Sequence, residues 1–594
     1  MFRSKWFFLA ALLLPLLLCR CANPMAPEGG IKDVVPPKVL SCDPPAYSIN
    51  FHKKEIKITF NKYIQLKDQS NQVNIVPQLV SHADFRLHGK SIFVKLPDTL
   101  KSNTTYAIHF GEAIADITEG NVLHDYTYVF STGSYIDSLS LSGKVLTAFD
   151  LVPQKDVIAM LYINENDTLP LDSLPLHVKP YYYTKTNDNG EFHFTNLRDV
   201  PFLLFALKDL NNNYIFDQAR ENVAFCDSLI KGVYIKPLPP ENRKKDSLSK
   251  RDTSVIIKDT LSKRDTSVLK KDTGKLNKQM VPVYTLMLFE EFDSTQKILK
   301  ADMVNDYQVG IYFRHPSIKP EFIPLNIPDT AGWMIPEFNA RRDSVFLWMK
   351  NTGKDSLYLR LADNGKTLDT VGIDLRKKTP RKRKADKGVA KQAKLGFTTN
   401  MPDGRFNQFR NDPVIIFAYP LSGYDLSRIL LVDGKDTVRP KLAFTDSVKR
   451  KLRVFHKWKE DHPYRLILPD SIFRSMNGNS NDSVIFSFRS HSLRDFGSIQ
   501  MTLSIKDPSG DYLIQLLDEK ENVLEQYVIS APGKVKFDYL APAKYKIKVI
   551  YDRNRNGRWD SGKFSRKIQP EKVQYYPKTI EVRANWDIDE SWDL

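Results

Sequence analysis

Cysteine is scarce, with four residues in a chain of 594. A chain so poor in it cannot rest on a disulfide framework and must be held by packed cores. The 11 histidines include no His-x-x-x-His or His-x-His pair, so nothing local points to a zinc centre. A Gly-x-Ser-x-Gly nucleophile elbow is missing too. No apolar run reaches the roughly 20 residues that a bilayer-spanning helix needs. The longest, Trp6 to Leu18, has 13 and is interrupted by Pro15.

What is present begins with that run. Arg3 and Lys5 precede it, which is the layout of a secretory signal. It ends in "LLLCRCANPMAPEGG", where cysteine stands in place of a small-residue cleavage site. The pattern resembles a bacterial lipobox, in which a leucine three positions ahead of a cysteine guides cleavage and the cysteine becomes the lipidated first residue. Leu18 stands three before Cys21, and Leu16 three before Cys19. Cys21 is the favoured lipidation site, because a Pro/Gly-rich tether follows it, with Cys19 as the alternative. Arg20 departs from the small residue normally found before the cysteine. Acylation contributes about 0.8 kcal/mol per buried CH₂, so a multiply acylated cysteine holds a chain on a membrane without a spanning helix. Cys42 and Cys226 are then the mature pair, and the sequence does not say whether they bridge.

The formal charge is +17, and loss of Arg3, Lys5 and Arg20 with the signal leaves +14. Ten of the cations crowd between Arg376 and Lys394 against one acid, Asp386. In an exported chain this run reads as a solvated linker near anionic envelope polymer, and no nucleic-acid partner is expected.

From Pro36 onward, "EIKITF", "SIFVKL", "YAIHF" and "TYVFST" alternate apolar and polar side chains at period 2, as half-buried strands do. Strands at this spacing predict an antiparallel sandwich. "PPKVLSCDPPAYSINFHKKEIKITFNKYIQL", followed by "DTLKSNTTYAIHFGEAIADITEGNVLHDYTYVFSTG", resembles the Ig-like domain of the SbsA S-layer type as found in Bacteroidota lipoproteins. Next, "LSGKVLTAF" through "YYYTKTNDNGEFHFTNLRDVPFLLFALKDLNNNYIFD" is similar to a prealbumin-like or carboxypeptidase-regulatory-like β-sandwich. The fold class expected is all-β: tandem Ig-like and prealbumin-like β-sandwiches with disordered charged linkers.

An internal repeat carries the same expectation further. Gly190 to Asp209 and Gly533 to Asp552 both span 19 residues; Tyr106 to Phe130 and Tyr464 to Phe488 both span 24. Two diverged copies of an Ig-like plus prealbumin-like pair are read from this. The resulting division is 1–20 signal, 21–34 tether, 35–135 Ig-like domain, 136–292 prealbumin-like sandwich, 293–375 a further β-sandwich module, 376–395 basic linker, 396–492 diverged Ig-like domain, and 493–594 second prealbumin-like sandwich. Within 136–292, residues 237–280 hold the tandem "DSLSKRDTSVIIK" and "DTLSKRDTSVLKK", too poor in apolar side chains to order. This tract is read as a loop inserted in the sandwich, with "VYTLMLFEEF" matched to "KTIEVRANWD" beyond it, since long insertions add little closure entropy.

The sharpest candidate site is a repeated loop. Asp209, Asn211, Asn213 and Asp217 occupy positions 1, 3, 5 and 9, and Asp552, Asn554, Asn556 and Asp560 repeat the spacing. Alternating oxygens on a tight loop are what Ca²⁺ coordination uses, so a structural Ca²⁺ is the one cofactor expectation. Against it, position 12 is Arg220 or Lys563 where an EF-hand supplies Glu, and Asn/Asp turns also bond their own backbone. "GRWDSGK" matches part of a P-loop, but Phe564 replaces the Ser/Thr, and the match is read as chance. "SLSK" at Ser247 lies in the tandem tract, where no fold would hold a catalytic pair. Asp followed by Ser or Thr and an aliphatic residue recurs and resembles a Bacteroidota O-glycosylation acceptor; Ser247 and Thr260 are the accessible candidates. "PYYYT" at Tyr181 to Tyr183 offers an aromatic pair that would stack on a sugar if exposed, although such tyrosines are more often core plus rim.

These features are read as a non-enzymatic, lipid-anchored cell-envelope protein acting as a structural or interaction module. Its expected place is the outer membrane, on the periplasmic or surface face. Its expected partners are the membrane through the lipid, and envelope proteins or glycans. A cell-surface adhesin or glycan-binding lipoprotein is the alternative, and an envelope hydrolase the third class.

Overall fold

The computed structural model describes residues 32–79, 81–97, 99–164, 169–218, 220–234, 283–328, 332–349, 354–376, 394–401, 403–507 and 509–594. The chain is all-β, built almost wholly of short strands. Among the described residues no helix is long and apolar enough to cross a membrane. Two compact units arise: Met1–Thr147 with Leu151–Phe289, and Ala148–Asp150 with Glu290–Leu594.

The first unit starts with a sandwich. One sheet runs in the spatial order Val39–Asp43, Glu55–Phe60, Ser91–Lys95, Asp84–His88, and the facing one holds Asn74–Val76, Thr105–His109 and Thr127–Ser131. Period-2 alternation sends Ile56, Ile58 and Phe60 inward, where they meet Ile92, Val94, Tyr106, Ile108 and Phe130. The second unit repeats this arrangement with Phe397–Thr399, Val414–Phe417, Lys451–Phe455 and Lys441–Phe444 facing Leu430–Asp433, Pro463–Leu468 and Val484–Ser490. The likeness extends to single pairs. Tyr106 stands opposite Phe130 and Tyr464 opposite Phe488, with ring centroids 5.4 and 5.7 Å apart and both pairs stacked. Each tyrosine hydroxyl accepts the backbone amide five residues upstream, of Lys101 or Lys459, at 2.8 Å. Gly120 and Gly478 hold equivalent turns at φ +75° and +87°, a region open to glycine and costly for a side chain.

The other sandwich is also duplicated. In the first unit Leu139–Thr147 lies between Glu191–Leu197, antiparallel, and Val283–Glu290, parallel. In the second, Gly497–Ser504 lies between Gly533–Leu540, antiparallel, and Asp587–Asp593, parallel. The counterpart of "VYTLMLFEEF" is therefore Asp587–Asp593, not "KTIEVRANWD". The short strand Ile580–Val582 within that stretch pairs instead with Ala543–Asp552, at Tyr545↔Ile580, as Ile230 bridges Phe202 in the first copy. Apolar residues in both stretches misled the match. The strands on either side of 235–282 share one sheet with Leu139–Thr147, while the tandem tract itself and residues 377–393 of the basic linker lie outside the described residues.

Within Glu290–Leu594 the three sandwiches meet pairwise. Arg450, next to Lys451–Phe455, forks onto Glu337 of the module built on Val309, Ile311, Val345 and Leu347. Phe409 stacks on Tyr539 at 4.8 Å and Arg410 pairs with Glu525, joining the Ig-like and prealbumin-like sandwiches. The Phe564 amide donates at 2.7 Å to Glu291, in the segment that leads into the middle module, and Arg314 and His315 of that module line one cleft with Arg558 to Ser561 of the last. A string of three modules needs two junctions; the third closes the set.

Candidate functional site

Each Asp/Asn loop leaves a long strand of its sandwich: Leu203–Lys208 in the first copy and Ala543–Asp552 in the second. Asp209 accepts the amides of Asn211, Asn212 and Tyr214, and the side-chain amides of Asn211 and Asn213 donate to Asp217 at 3.1 and 2.7 Å. In the second copy Asp552 accepts from the amides of Asn556 and Gly557, and the side-chain amides of Asn554 and Asn556 donate to Asp560. The spacing thus brings all four residues of each loop together.

Both loops also use a carboxylate that the spacing argument missed. Glu221 is fully buried and accepts the amides of Leu210, Asp217 and Gln218. Glu571, also buried, accepts those of Arg553 and Asp560 at 2.8 and 3.0 Å. Burial pushes the Glu571 carboxyl above the usual carboxylate range, against the pull of those two amides, and nearby Asp552 and Asp560 push it the same way. The two glutamates are equivalent, because Val223 and Val573 pair at the same register with Leu207 and Ile550. They lie 12 residues after Asp209 but 19 after Asp552, so a fixed repeat distance could not find them. Register could.

Chemically, each loop is a closed network in which carboxylates accept backbone amides and asparagine amides bind carboxylates. Among the described residues no group of three or more His, Cys, Asp or Glu is placed to hold a metal ion. Ca²⁺ coordination would need the Asn211, Asn213, Asn554 and Asn556 side chains to turn oxygen inward. The "GRWDSGK" stretch continues from this second loop into a three-residue 3₁₀ turn, Phe564–Arg566, without the long helix a phosphate cradle uses.

The tyrosine stretch is core plus rim. Tyr182 and Tyr183 are both buried and Tyr181 is half-buried, so no exposed pair forms. Tyr183 leans on Tyr214 at 4.8 Å and its hydroxyl donates to Asn74. Tyr181 does line a cleft of about 310 Å³ together with Gln78, Lys101, Tyr162, Asn164 and Lys179. The Lys101 ammonium sits 4.5 Å over the Tyr181 ring, and Arg198 donates to its hydroxyl at 3.3 Å.

One cluster had no signal in the motifs sought. Asp433, nearly buried, takes Lys459 Nζ on both oxygens at 2.9 and 3.0 Å and His456 Nε2 at 3.1 Å. His462 Nε2 lies 2.8 Å from Oδ1 but off the hydrogen-bond direction. The Lys459 ammonium above all, with His456, holds the Asp433 carboxyl below its ordinary range in spite of burial. In the first Ig-like copy Pro77 stands where Asp433 does and Thr104 where His462 does, so the cluster belongs to the second copy alone and comparing likenesses hides it.

Cys42 and Cys226 are both free thiols, which answers the pairing question left open by the sequence. Cys19, Cys21, Ser247 and Thr260 lie outside the described residues.

Among curated proteins none matches the chain. Among solved structures, the Bacillus anthracis TIE protein aligns over 96% of this chain and 76% of its own, at 9% identity and a TM-score of 0.14. The major pilin subunit BcpA of Bacillus cereus aligns over 76% of this chain and 99% of its own, at 10% identity and a TM-score of 0.14. The N-terminal part of the bacterial S-layer protein SbsC aligns over 33% of this chain and 41% of its own, at 18% identity and a TM-score of 0.13. Residues 33–132, which form the first sandwich of the chain, match the model of a bacterial Ig-like domain.

Proposed function

We propose that the chain is a non-enzymatic, lipid-anchored cell-envelope protein that works as a structural module, held by acylated Cys21 at the outer membrane. The observation that carries the structural part is the pairwise locking of the three sandwiches between Glu290 and Leu594 through Arg450–Glu337, Arg410–Glu525 and the Glu291–Phe564 contact. Such a body keeps its end loops at fixed distances, which is what a support or spacer requires. The match of residues 33–132 to a bacterial Ig-like domain supports a bacterial setting, and the basic run from Arg376 to Lys394 supports a place beside anionic polymer. The domain division read from the sequence, with the 237–280 tract as an accessible loop carrying Ser247 and Thr260 as glycan acceptors, belongs to the same proposal.

Fractionation tests the anchor. Wild-type chain is expected in the outer-membrane fraction and a Cys21→Ala variant in the soluble fraction. Membrane retention of the variant overturns Cys21 and makes Cys19 the next site.

A second reading, capture of an acidic glycan, is favoured by the Tyr181 cleft, where an aromatic face lies beside Lys101 and Lys179. Retention on an acidic polysaccharide column that is lost in Tyr181→Ala would support it, and identical elution of the two proteins would remove it.

A further inference from the structure

The strand Val523–Ile529 is bonded along one side only, to Asp511–Leu517. Edge strands of soluble proteins are normally blunted by lysine, proline or inward charges, because a bare edge templates further pairing. This one reads Val-Leu-Glu-Gln-Tyr-Val-Ile, with no lysine, arginine or proline, and its one register irregularity lies at the Val523 end. Val523, Leu524, Tyr527 and Val528 are between 40% and 53% exposed. The one charge, Glu525, is already engaged by Arg410.

The first copy of the sandwich shows the same edge covered. Its strand Tyr182–Lys185 pairs with Ile158–Tyr162 in the equivalent register, so that Thr184 corresponds to Tyr527 and Lys185 to Val528. There the Ig-like sandwich lies on the edge: Tyr183 Oη donates to Asn74 Oδ1 at 3.2 Å, and Lys185 Nζ reaches the Asn71 carbonyl at 3.5 Å. In the second copy the Ig-like sandwich touches this strand at Glu525 and directs its other polar and stacking contacts to Asp538 and Tyr539. The rest of the edge leaves Val523, Leu524, Tyr527 and Val528 about half exposed.

We propose that this edge pairs antiparallel with the same strand of a second copy of the chain, about a two-fold axis at Gln526. The occupant is read from the order of the strand itself. Reversed against itself and centred on Gln526, it sets Val523 opposite Ile529, Leu524 opposite Val528 and Glu525 opposite Tyr527, and the Gln526 side chain stays bonded to Gln515 and Gly557 of its own chain. Apolar faces apolar and no like charges are opposed, as a self-complementary two-fold contact demands. Within one chain the Tyr527 hydroxyl already lies 3.4 Å from Glu525, so the same chemistry is on offer across the axis.

The test uses the full lipid-anchored chain in detergent, with Cys42 and Cys226 replaced by serine. Directly opposed residues of antiparallel strands have Cα atoms about 4.5–5.5 Å apart, within reach of a disulfide. Under mild oxidation Gln526→Cys is expected to give a covalent dimer, and Lys520→Cys, in the neighbouring turn, is not. In sedimentation the unsubstituted chain is expected to show a concentration-dependent monomer–dimer equilibrium. A Leu524→Lys/Val528→Lys variant is expected to stay monomeric with an unchanged circular dichroism spectrum and melting curve. A wild type that is monomeric at every attainable concentration overturns the proposal, as does a dimer that survives both lysines or a Gln526→Cys chain that links no faster than the Lys520→Cys control.

Discussion

Arg450 donates two hydrogen bonds to the Glu337 carboxylate, at 2.7 and 3.0 Å, with both side chains largely buried. The same Glu337 accepts Trp348 Nε1 at 2.7 Å, and the Arg450 guanidinium lies 4.7 Å over the Trp348 ring. Removing one partner of a buried pair leaves the other charge uncompensated, at a cost of roughly 3–5 kcal/mol. Arg450→Ala is therefore expected to lower the unfolding free energy by about 3 kcal/mol, read by denaturant titration. A loss within experimental error of zero would mean that the junction does not hold the two sandwiches.

The two prealbumin-like copies make a volume trade at one cross-strand pair. Gly143 faces Phe192 in the first copy, and Met501 faces Val535 at the same place in the second. A Cβ on Gly143 would overlap the Phe192 ring and the Tyr284 carbonyl. Gly143→Ala is expected to destabilise by about 1–3 kcal/mol through overpacking. Phe192→Val in the same chain is expected to recover part of that loss. Equal destabilisation with and without the second change would contradict the trade.

Glu571 uses both oxygens as acceptors for backbone amides. Glu571→Gln turns one acceptor into a donor facing a donor, and a buried amide left unmet costs about 1–3 kcal/mol. A lowered melting temperature is expected, and the Asp/Asn loops, which close on their own hydrogen bonds, are expected to hold their shape in a calcium chelator. A melting temperature that falls on chelation and returns with added Ca²⁺ would instead establish the loops as calcium sites.

Asp433 is held below its ordinary pKa by Lys459 and His456. A carboxyl with a lowered folded pKa stabilises the fold above its unfolded value near 4, and this contribution is lost as pH falls through the lower folded value. Asp433→Asn is thus expected to destabilise by about 1–3 kcal/mol at neutral pH, with the gap to wild type narrowing as pH drops below about 4. A gap that is constant across that window would show that the carboxylate charge is not what the cluster uses.

Much of the fold was legible because alternation and repeat spacing are local. The 24-residue interval from Tyr106 to Phe130 and from Tyr464 to Phe488 reports a strand, a turn and a returning strand, and the same stacked pair results each time. Even the backing hydrogen bonds recur: Thr132 Oγ1 accepts the Thr104 amide at 3.0 Å, and Ser490 Oγ accepts that of His462 at 3.0 Å. What was not legible came from distant pairing. Glu221 and Glu571 converge on their loops only through the register of the following strand, after connections of different length. Asp433 meets Lys459 and His456 through tertiary packing of a hairpin on a loop, where the two copies differ. The tyrosines of "PYYYT" are covered because a neighbouring sandwich lies on their edge, which alternation within the strand does not report.

Calorimetry of the full chain tests the structural claim most directly. Unfolding takes up about 0.7 kcal/mol per residue near 60 °C. If the three sandwiches of Glu290–Leu594 act as one body, one transition should carry roughly 200 kcal/mol, with matching calorimetric and van't Hoff enthalpies, and Arg450→Ala should shift all of it downward. Separate transitions of about 70 kcal/mol each, with only one displaced by Arg450→Ala, would contradict a locked body and return the chain to independent modules on a string.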